Sequence, residues 1–445
     1  MFDAITDALR KRTDLLGWTL RQVTRRGSQL YAVPGAVESV RDVTEDRYVI
    51  DVLRDTTVPG GPPSAGAGNV TPLPGADIDA AIDAASLHAG LVHNPPYGLP
   101  GPASLPGVPL LDEALCGDMA GALAAAHRRL VDAVTGEAGV RLAAAEFFAE
   151  EKSVRLRNSR GIDATQRGTS LELEWVLLAR NGRAISDRSG GDRSSGDEVE
   201  SYVQMRRRRL ADLHLREVAA ERAGWARDLL AAQAPPHHAG PVILAGSALA
   251  EFMDCGVIQN LGSAAAKFAK SSTWELGEPV FREPVRGDPL TVWANRQAPY
   301  GAASDLFDAE GIPSQRLLLI DDNRLAAFSA GQRHAAYLRI PATGEFGVIE
   351  VAPGRTAAAD LRQGDLVEIA AFSSFEADDV TGDFASEIRL GYTVTGRRRV
   401  PFKGGLLIGN YLSALADATW SRETDFHGTY LGPAAVRFQS LTVAP

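Results

Sequence analysis

Near the C-terminal end of the chain, apolar and polar residues alternate with a period of two and then change to a helical period. Ile388, Leu390, Tyr392 and Val394 alternate with polar or small residues, which is typical of a strand with one buried face. Thr395-Gly396 can form a turn, and residues 397–402 would then return as a second strand. After Gly409-Asn410 the apolar residues share one helical face. The pattern predicts a hairpin, a glycine-rich corner and a helix laid over the sheet.

Similar patterns occur along the rest of the chain. A helix is predicted over residues 2–16, and helical patterns recur over 77–89 and 112–134. Alternation predicts strands over residues 18–24, 29–33, 36–43, 47–53, 141–148, 153–157, 171–180, 241–245, 316–320, 348–351 and 365–371. The fold class predicted is therefore α+β: a small α+β N-terminal domain, then a large antiparallel-sheet-rich C-terminal domain with packed helices.

A chain of 445 residues is longer than one hydrophobic core usually supports. We divide it into residues 1–235 and 236–445. An apolar stripe between Leu215 and Leu230 predicts a long helix over 199–232 that closes the N-terminal domain. On that helix Arg206 to Arg209 would point in all directions as solvated charges.

Two segments are too rich in proline and glycine for regular structure, namely residues 58–74 and 94–109. They are either linkers or long excursions packed on the surface, and the residues do not decide between the two.

Composition excludes several classes of protein. A net charge of −10 and a pI near 5.4 argue against general affinity for DNA. Two cysteines cannot form a disulfide framework or a four-thiolate zinc site. The N-terminus lacks the pattern of a signal peptide, and no apolar run approaches the ~20 residues of a membrane span. These features predict a cytoplasmic protein.

Four short motifs follow one another within about thirty residues: Val380-Thr381-Gly382-Asp383-Phe384, Gly391-Tyr392, Pro401-Phe402-Lys403-Gly404 and Gly409-Asn410. In this order they resemble the C-terminal end of the TldD/PmbA family, also described as modulators of DNA gyrase. The middle of the chain is similar too, with a glutamate-containing strand followed by the turn Asn158-Ser159-Arg160-Gly161.

In the catalytic branch of that family, the helix after the strand at 241–245 carries His-Glu-x-x-x-His, in which the two histidines bind zinc. The corresponding positions here are about 254–259 and hold Asp254, Cys255 and Gln259, which are not a convergent set of zinc ligands. The further cysteine ligand of that branch is also missing, since no cysteine follows Cys255. We therefore expect no zinc or other cofactor in this chain, and a helix that was retained for packing.

The resemblance implies a TldE/PmbA-like, non-catalytic subunit of a heterodimeric zinc metallopeptidase that encloses flexible peptides. Its zinc would come from a TldD-like partner chain. On resemblance alone, the peptide cavity would be lined by Asn158, Ser159, Gly161, Thr381, Gly382 and Asp383.

The main alternative is a stand-alone homodimer that binds a peptide or small ligand without catalysis. A metal-independent hydrolase and a DNA-associated gyrase factor are further alternatives, and the acidic charge balance disfavours the last.

Overall fold

The computed structural model describes residues 1–34, 36–180 and 198–445. The N-terminal part of the chain forms a six-stranded antiparallel sheet in the order β3-β2-β1-β4-β5-β6. Its strands are β1 (Leu15–Val33), β2 (Ala36–Asp55), β3 (Ala65–Val70), β4 (Val140–Asn158), β5 (Asp163–Arg180) and β6 (Glu198–Arg207).

The strands of this sheet are longer than the sequence predicts. The four short strands predicted over residues 18–24, 29–33, 36–43 and 47–53 form two long strands, β1 and β2. The two segments predicted at 141–148 and 153–157 form one strand, β4. Gly27 explains part of the error, because it continues the ladder instead of ending it. A Cβ there would lie 2.6 Å from the carbonyl oxygen of Ala149, so the glycine permits close approach of β4.

Helices cover one face of the sheet and bury the apolar side chains of its strands. They are α1 (Phe2–Arg10), α2 (Ile78–Gly90), α3 (Glu113–Gly117), α4 (Met119–Thr135) and α5 (Leu215–Ala231). Leu123 and Leu130 of α4 pack with Trp175 of β5 and with Ala219 and Ala223 of α5 in one core.

The long helix predicted over 199–232 is wrong in its first half. Residues 199–207 belong to β6, and the helix begins only at Leu215. Ser201, Val203 and Met205 are buried on one face, a period of two that pairs with β5. The four arginines therefore lie on a strand and the following loop. The helix also contacts the other half of the chain, since Leu229 packs with Leu390 and Tyr392; the division near residue 235 stays a prediction.

The C-terminal part builds two further sheets. One has the order β12-β7-β19-β15-β13-β14, with β16 beside β19, and the other has the order β10-β9-β8-β11-β18-β17. Most neighbours are antiparallel, while β7–β12 and β11–β18 are parallel. Together with the helices of this part, the two sheets confirm the predicted α+β class with a sheet-rich C-terminal part.

The strands of these sheets are β7 (His238–Ala245), β8 (Val292–Asn295), β9 (Arg316–Asp321), β10 (Arg324–Leu325), β11 (Val348–Val351), β12 (Leu366–Phe372), β13 (Asp383–Thr395), β14 (Arg398–Phe402), β15 (Leu406–Asn410), β16 (Thr419–Trp420), β17 (Thr424–His427), β18 (Tyr430–Pro433) and β19 (Ala435–Ala444). The helices are α6 (Gly246–Met253), α7 (Val257–Leu261), α8 (Ala264–Phe268), α9 (Gln332–Leu338), α10 (Ala358–Leu361) and α11 (Tyr411–Ala416).

The core of the C-terminal part lies between these two sheets, and α6 runs through it. Phe252 of α6 is fully buried and stacks on Tyr411 of α11, with 4.5 Å between ring centroids. The predicted hairpin is confirmed as β13 and β14, followed by β15 and α11. Asn410 caps α11 by accepting hydrogen bonds from the backbone N–H groups of Leu412 and Ser413.

The proline-rich segments are packed excursions. Residues 65–70 within the first segment form β3 against β2. Asn94 pairs with Ala65, and the carbonyl oxygen of Pro109 accepts a hydrogen bond from the backbone of Tyr300. Across the described residues, the helices are all too short or too polar to cross a membrane.

Candidate functional site

The positions predicted to correspond to the family's zinc motif lie at a break between two helices. Helix α6 ends at Met253, Gly256 has a φ of +100°, and α7 begins at Val257. The predicted continuous helix across 254–259 is therefore wrong, because Gly256 adopts a left-handed conformation that ends the helical run.

Asp254 is engaged in two hydrogen bonds at this break. Thr429 Oγ1 donates to Asp254 Oδ2 over 2.7 Å, and Gln259 Nε2 donates to Asp254 Oδ1 over 3.0 Å. Burial raises the pKa of Asp254, while the two hydrogen bonds oppose the rise. The carboxylate thus joins α6, α7 and the turn between β17 and β18.

Cys255 packs against the core. Burial raises the pKa of its thiol to about 11, so the reactive thiolate is a minor form near neutral pH. No cluster of three His, Cys, Asp or Glu side chains suited to a metal ion occurs in residues 1–34, 36–180 and 198–445. The side chains at the motif positions therefore do not fit the zinc ion that the family implies.

A cleft of about 480 Å³ opens beside this break, and we call it the α6 cleft. Its walls come from β6, α5, α6, β13 and the β17–β18 turn. The polar residues that line it are Ser201, Tyr202, Gln204, Arg206, Arg207, Glu221, Arg222, Ser247, Glu251, Asp254, Ser373, Arg389, His427 and Thr429. Both halves of the chain thus contribute to one polar cleft, as is usual for binding sites at domain junctions.

Glu251 is a titratable group of the cleft whose pKa is strongly raised. Its side chain reaches water, but only within the cleft walls, and this partial enclosure raises its pKa to about 7. The positive charge of Arg222 lowers the pKa by a smaller amount. Glu251 can therefore take up or release a proton near neutral pH.

Arg222 is held in place across the same cleft. Its guanidinium lies 3.9 Å from the ring centroid of Trp225 and donates a hydrogen bond to Ser247 Oγ over 3.2 Å. Its Nε is buried and has no hydrogen-bond partner among the described residues. It does lie 3.6 Å from Glu221 Oε2, so the guanidinium is ion-paired there without a hydrogen bond.

His427 and Asp425 form a pair at the other side of the cleft, with 2.8 Å between Nε2 and Oδ2. The hydrogen bond from His427 lowers the pKa of Asp425. Neither cleft hydroxyl of Ser247 or Thr429 is hydrogen-bonded to an imidazole among the described residues, since Ser247 accepts from Arg222 and Thr429 donates to Asp254. The cleft is suited to binding polar groups and lacks an activated nucleophile of the hydroxyl–histidine type.

The turn from Asn158 to Gly161, which is predicted to line a peptide cavity, makes hydrogen bonds that hold the backbone in place. Asn158 is buried, donates to the carbonyl oxygen of Pro100 over 2.8 Å and accepts from the backbone of Ile162. Ser159 Oγ accepts from the backbone of Trp18, and Gly161 has a φ of +96°. These residues close the β4–β5 turn and fix the second proline-rich segment.

The other residues predicted to line the peptide cavity, Thr381, Gly382 and Asp383, also make hydrogen bonds that hold the backbone in place. Asn410 Nδ2 donates to the carbonyl oxygen of Thr381 over 2.8 Å and to Asp383 Oδ1 over 2.9 Å. Gly382 has a φ of +79°, and its carbonyl oxygen accepts from the backbone of Tyr411 over 2.7 Å.

Thr381 and Asp383 border a separate cavity of about 570 Å³. No hydrogen bond joins this set to the Asn158 turn among the described residues, so the structure does not bring the two predicted sets together. Whether either set contacts a peptide stays a prediction.

Sequence reasoning missed the residues that define the α6 cleft. One signal was present: Arg222 interrupts the apolar stripe of α5, and a charge within such a stripe calls for a partner or a cavity. His427 carried no signal, because its partner and its cleft depend on the turn between β17 and β18.

Residues 237–445 match the family model described as the PmbA/TldA metallopeptidase C-terminal domain. No curated protein matches the chain. Among solved structures, a protein described as a modulator of a DNA gyrase from Thermotoga maritima aligns over 100% of both chains, with 17% identity and a TM-score of 0.81. TldE from Thermococcus kodakarensis aligns over 100% of this chain and 99% of its own, with 15% identity and a TM-score of 0.80.

A third similar structure is that of a protein from Bacteroides thetaiotaomicron that is described as a modulator of DNA gyrase. It aligns over 100% of this chain and 98% of its own, with 13% identity and a TM-score of 0.77. At these identities the structural likeness concerns the fold, and the family model concerns the sequence of the C-terminal part. With the ordered motifs of β13 to α11, the family model identifies residues 237–445 as a C-terminal domain of the PmbA/TldD family, and the whole chain shares the fold of these three structures.

Proposed function

We propose that this chain is the TldE/PmbA-like, zinc-free subunit of a heterodimeric metallopeptidase. In this proposal a TldD-like partner supplies the zinc, and the two chains together enclose and cleave flexible peptides. This chain contributes binding surface and requires no cofactor of its own. The similarity of its fold to TldE from Thermococcus kodakarensis supports the choice of subunit.

The observation that carries the proposal is the surroundings of Asp254, namely its hydrogen bonds and the side chains next to it. It occupies the region of the family's metal motif, yet both of its oxygens accept hydrogen bonds, one from Thr429 and one from Gln259. Each carboxylate oxygen keeps a second lone pair, but a zinc ion also needs two or three further donors that converge on it. The neighbouring Cys255 and Gln259 do not supply such donors.

The α6 cleft supports a role in holding peptides. It lies directly beside the former motif, and it combines a fixed arginine with a carboxyl group that titrates near neutral pH. Such groups can bind the amides and charged side chains of an extended peptide. The proposal therefore assigns peptide contacts to the cleft and bond cleavage to the partner.

Co-expression with a TldD-like chain that bears His-Glu-x-x-x-His tests this assignment. We expect a stoichiometric heterodimer on size-exclusion chromatography, and cleavage of an unfolded peptide by the heterodimer but not by this chain alone. A stable homodimer that ignores such a partner would contradict the proposal and favour the stand-alone binding protein.

A further inference from the structure

Strand β2 forms an open edge of the N-terminal sheet over most of its length. It lies between β1 and β3 in the sheet order, but β3 pairs only with residues 50–55 of β2. Residues 36–49 therefore have no strand on their outer side among the described residues. The register with β1 is regular from Ser39 onward, because the irregularity in the ladder lies before it. We call residues 39–47 the β2 edge.

The β2 edge is open to water on both faces of the strand. Its residues are all exposed except Glu45, which is half-buried. Val40 and Val43 are 47% and 42% exposed, and they lie on opposite faces. The segment contains no proline or lysine, which are residues that commonly keep an edge strand from pairing. It can therefore pair with another strand along its outer side.

The charge pattern of the β2 edge indicates which strand fits it. One face carries, in order, Ser39, Arg41, Val43, Glu45 and Arg47. When two copies run antiparallel with Val43 opposite Val43, each Arg41 faces Glu45 of the other copy. Each Arg47 then faces an uncharged Ser39. Opposite charges directly across an antiparallel pair stabilise it, so this face is complementary to itself.

The other face of the β2 edge is compatible with the same register. It holds Val40, Asp42, Thr44 and Asp46. Asp42 faces Thr44 of the other copy and Asp46 faces Val40, so like charges are never directly opposite each other. The two Asp42 side chains are diagonal neighbours, about 7–8 Å apart, and their repulsion limits the strength of the pairing.

Other antiparallel registers between two copies are less favourable. An axis through any charged residue of the edge sets that residue against its own copy, and like charges directly opposite destabilise a strand pair. An axis through Thr44 sets Asp42 against Asp46. An axis through Val40 pairs only three residues of the edge with one another. Charge and length thus both favour the axis through Val43.

We propose that two copies of this chain associate through the β2 edge, as an antiparallel strand pair with a two-fold axis at Val43. The two N-terminal sheets then continue into each other as one sheet. The edge contributes fewer residues than the about 20–30 that a standard interface takes from each side. The dimer is therefore weak and reversible, with a Kd on the order of tens of micromolar.

This contact leaves the α6 cleft free. Residues 201–207 of β6 line the cleft, and β6 lies at the opposite side of the sheet from β2 and β3. One copy can thus pair at β2 while its cleft faces another chain or a peptide. The inference goes beyond the proposed function, because it concerns a different edge of the sheet and a different partner.

Sedimentation velocity on the full chain tests the proposal, at concentrations from about 1 µM to about 200 µM that bracket the expected Kd. We expect the sedimentation coefficient to rise from the monomer value to the dimer value over this range. Arg41→Glu sets glutamates against Glu45, and Glu45→Arg sets arginines against Arg41. Each change is expected to raise the Kd of the dimer about tenfold or more.

The double variant Arg41→Glu/Glu45→Arg restores both pairs of opposite charges, so it should dimerise as the parent does. Val43→Lys sets two ammonium groups against each other at the axis and should abolish the dimer over the same range. Val131→Lys is the matched control, because Val131 is an exposed valine of α4 outside the β2 edge. It adds the same charge and should leave the dimer unchanged. Circular dichroism checks that each variant is folded.

A chain that stays monomeric up to the highest concentration would overturn the proposal. A dimer that persists in Val43→Lys or in either single charge reversal would place the contact elsewhere and would also overturn it. So would a folded double variant that stays monomeric. These measurements use the lone chain and need neither a TldD-like partner nor a peptide, so this contact and the proposed function can fail separately.

Discussion

The closing segment, residues 381–416, and the α6 cleft differ in what their polar side chains do. In the closing segment Asn410 caps a helix and holds two backbone stretches together. Glu251 and Arg222 line the α6 cleft, and the Nε of Arg222 has no hydrogen-bond partner among the described residues. The family motifs lie in the first region, so the residues that identify the family are mainly those that build its fold.

This comparison predicts that substitutions in the closing segment reduce stability, and that substitutions in the cleft mainly change binding and pH dependence.

The largest loss of stability is expected for Tyr411→Ala. Tyr411 is fully buried and stacks on Phe252, and removal of a buried aromatic ring costs about 3–5 kcal/mol. Urea denaturation followed by circular dichroism would measure it. A loss below about 1 kcal/mol would contradict the packing described here.

A smaller loss is expected for Asn410→Ala. The substitution removes the cap of α11, an effect of about 1–2 kcal/mol, and also the two hydrogen bonds to the 381–383 stretch. Asn410→Ser is the matched control, because its hydroxyl keeps a capping acceptor without the Nδ2 donor and places no charge beside Asp383. If it were as damaging as alanine, the cap would not be the main contribution.

Glu251→Gln is expected to change the pH dependence of stability. Because the folded pKa is about 7 and the ordinary value is 4.5, the folded protein holds this proton more tightly than the unfolded chain does. The stabilisation is full below about pH 4.5 and is lost as the pH rises to about 7.

The stability of the parent should fall between about pH 4.5 and pH 7, and the urea denaturation midpoint should fall with it. In Glu251→Gln this fall should be absent. Water reaches the side chain, so the difference should be below about 1 kcal/mol. Identical pH profiles for the variant and the parent would contradict the assignment.

A similarly small effect on stability is expected for Asp254→Asn. An asparagine can still accept a hydrogen bond from Thr429 or Gln259, and the net contribution of the remaining one is about 1 kcal/mol. Thermal unfolding should therefore shift by only a few degrees. A collapse of the fold would show that Asp254 is a main structural support of the two halves.

Sequence reasoning could predict the elements whose periodicity is local. The range of β11 was predicted correctly, and β13, β14 and α11 were found within a few residues. Sequence reasoning failed for β6. The strong apolar stripe of α5 predicts a helix that continues towards the N-terminus over residues 199–207, but those residues pair with β5 as a strand. Long-range pairing decided the structure there, and a single sequence does not display it.

The candidate site was harder to predict for the same reason. The distance from β7 predicts that Asp254 lies at the metal-motif position, and that stays a prediction; its hydrogen-bond partner Thr429 lies 175 residues away in sequence. Arg207 and Arg208 were assigned to a solvated helix, whereas Arg208 binds carbonyl oxygens of the loop at 301–304. Contacts between the two parts of the chain form the α6 cleft, and no local sequence motif predicts those contacts.

The central claim is that this chain works with a zinc ion that it does not bind itself, and metal analysis tests it most directly. The chain and its heterodimer with a TldD-like partner would each be purified with zinc present, dialysed and measured by atomic emission. We predict one zinc per heterodimer and none in the lone chain, with cleavage of an unfolded peptide only by the zinc-loaded heterodimer. Stoichiometric zinc in the lone chain, together with peptide cleavage that ends when the zinc is removed, would contradict the account.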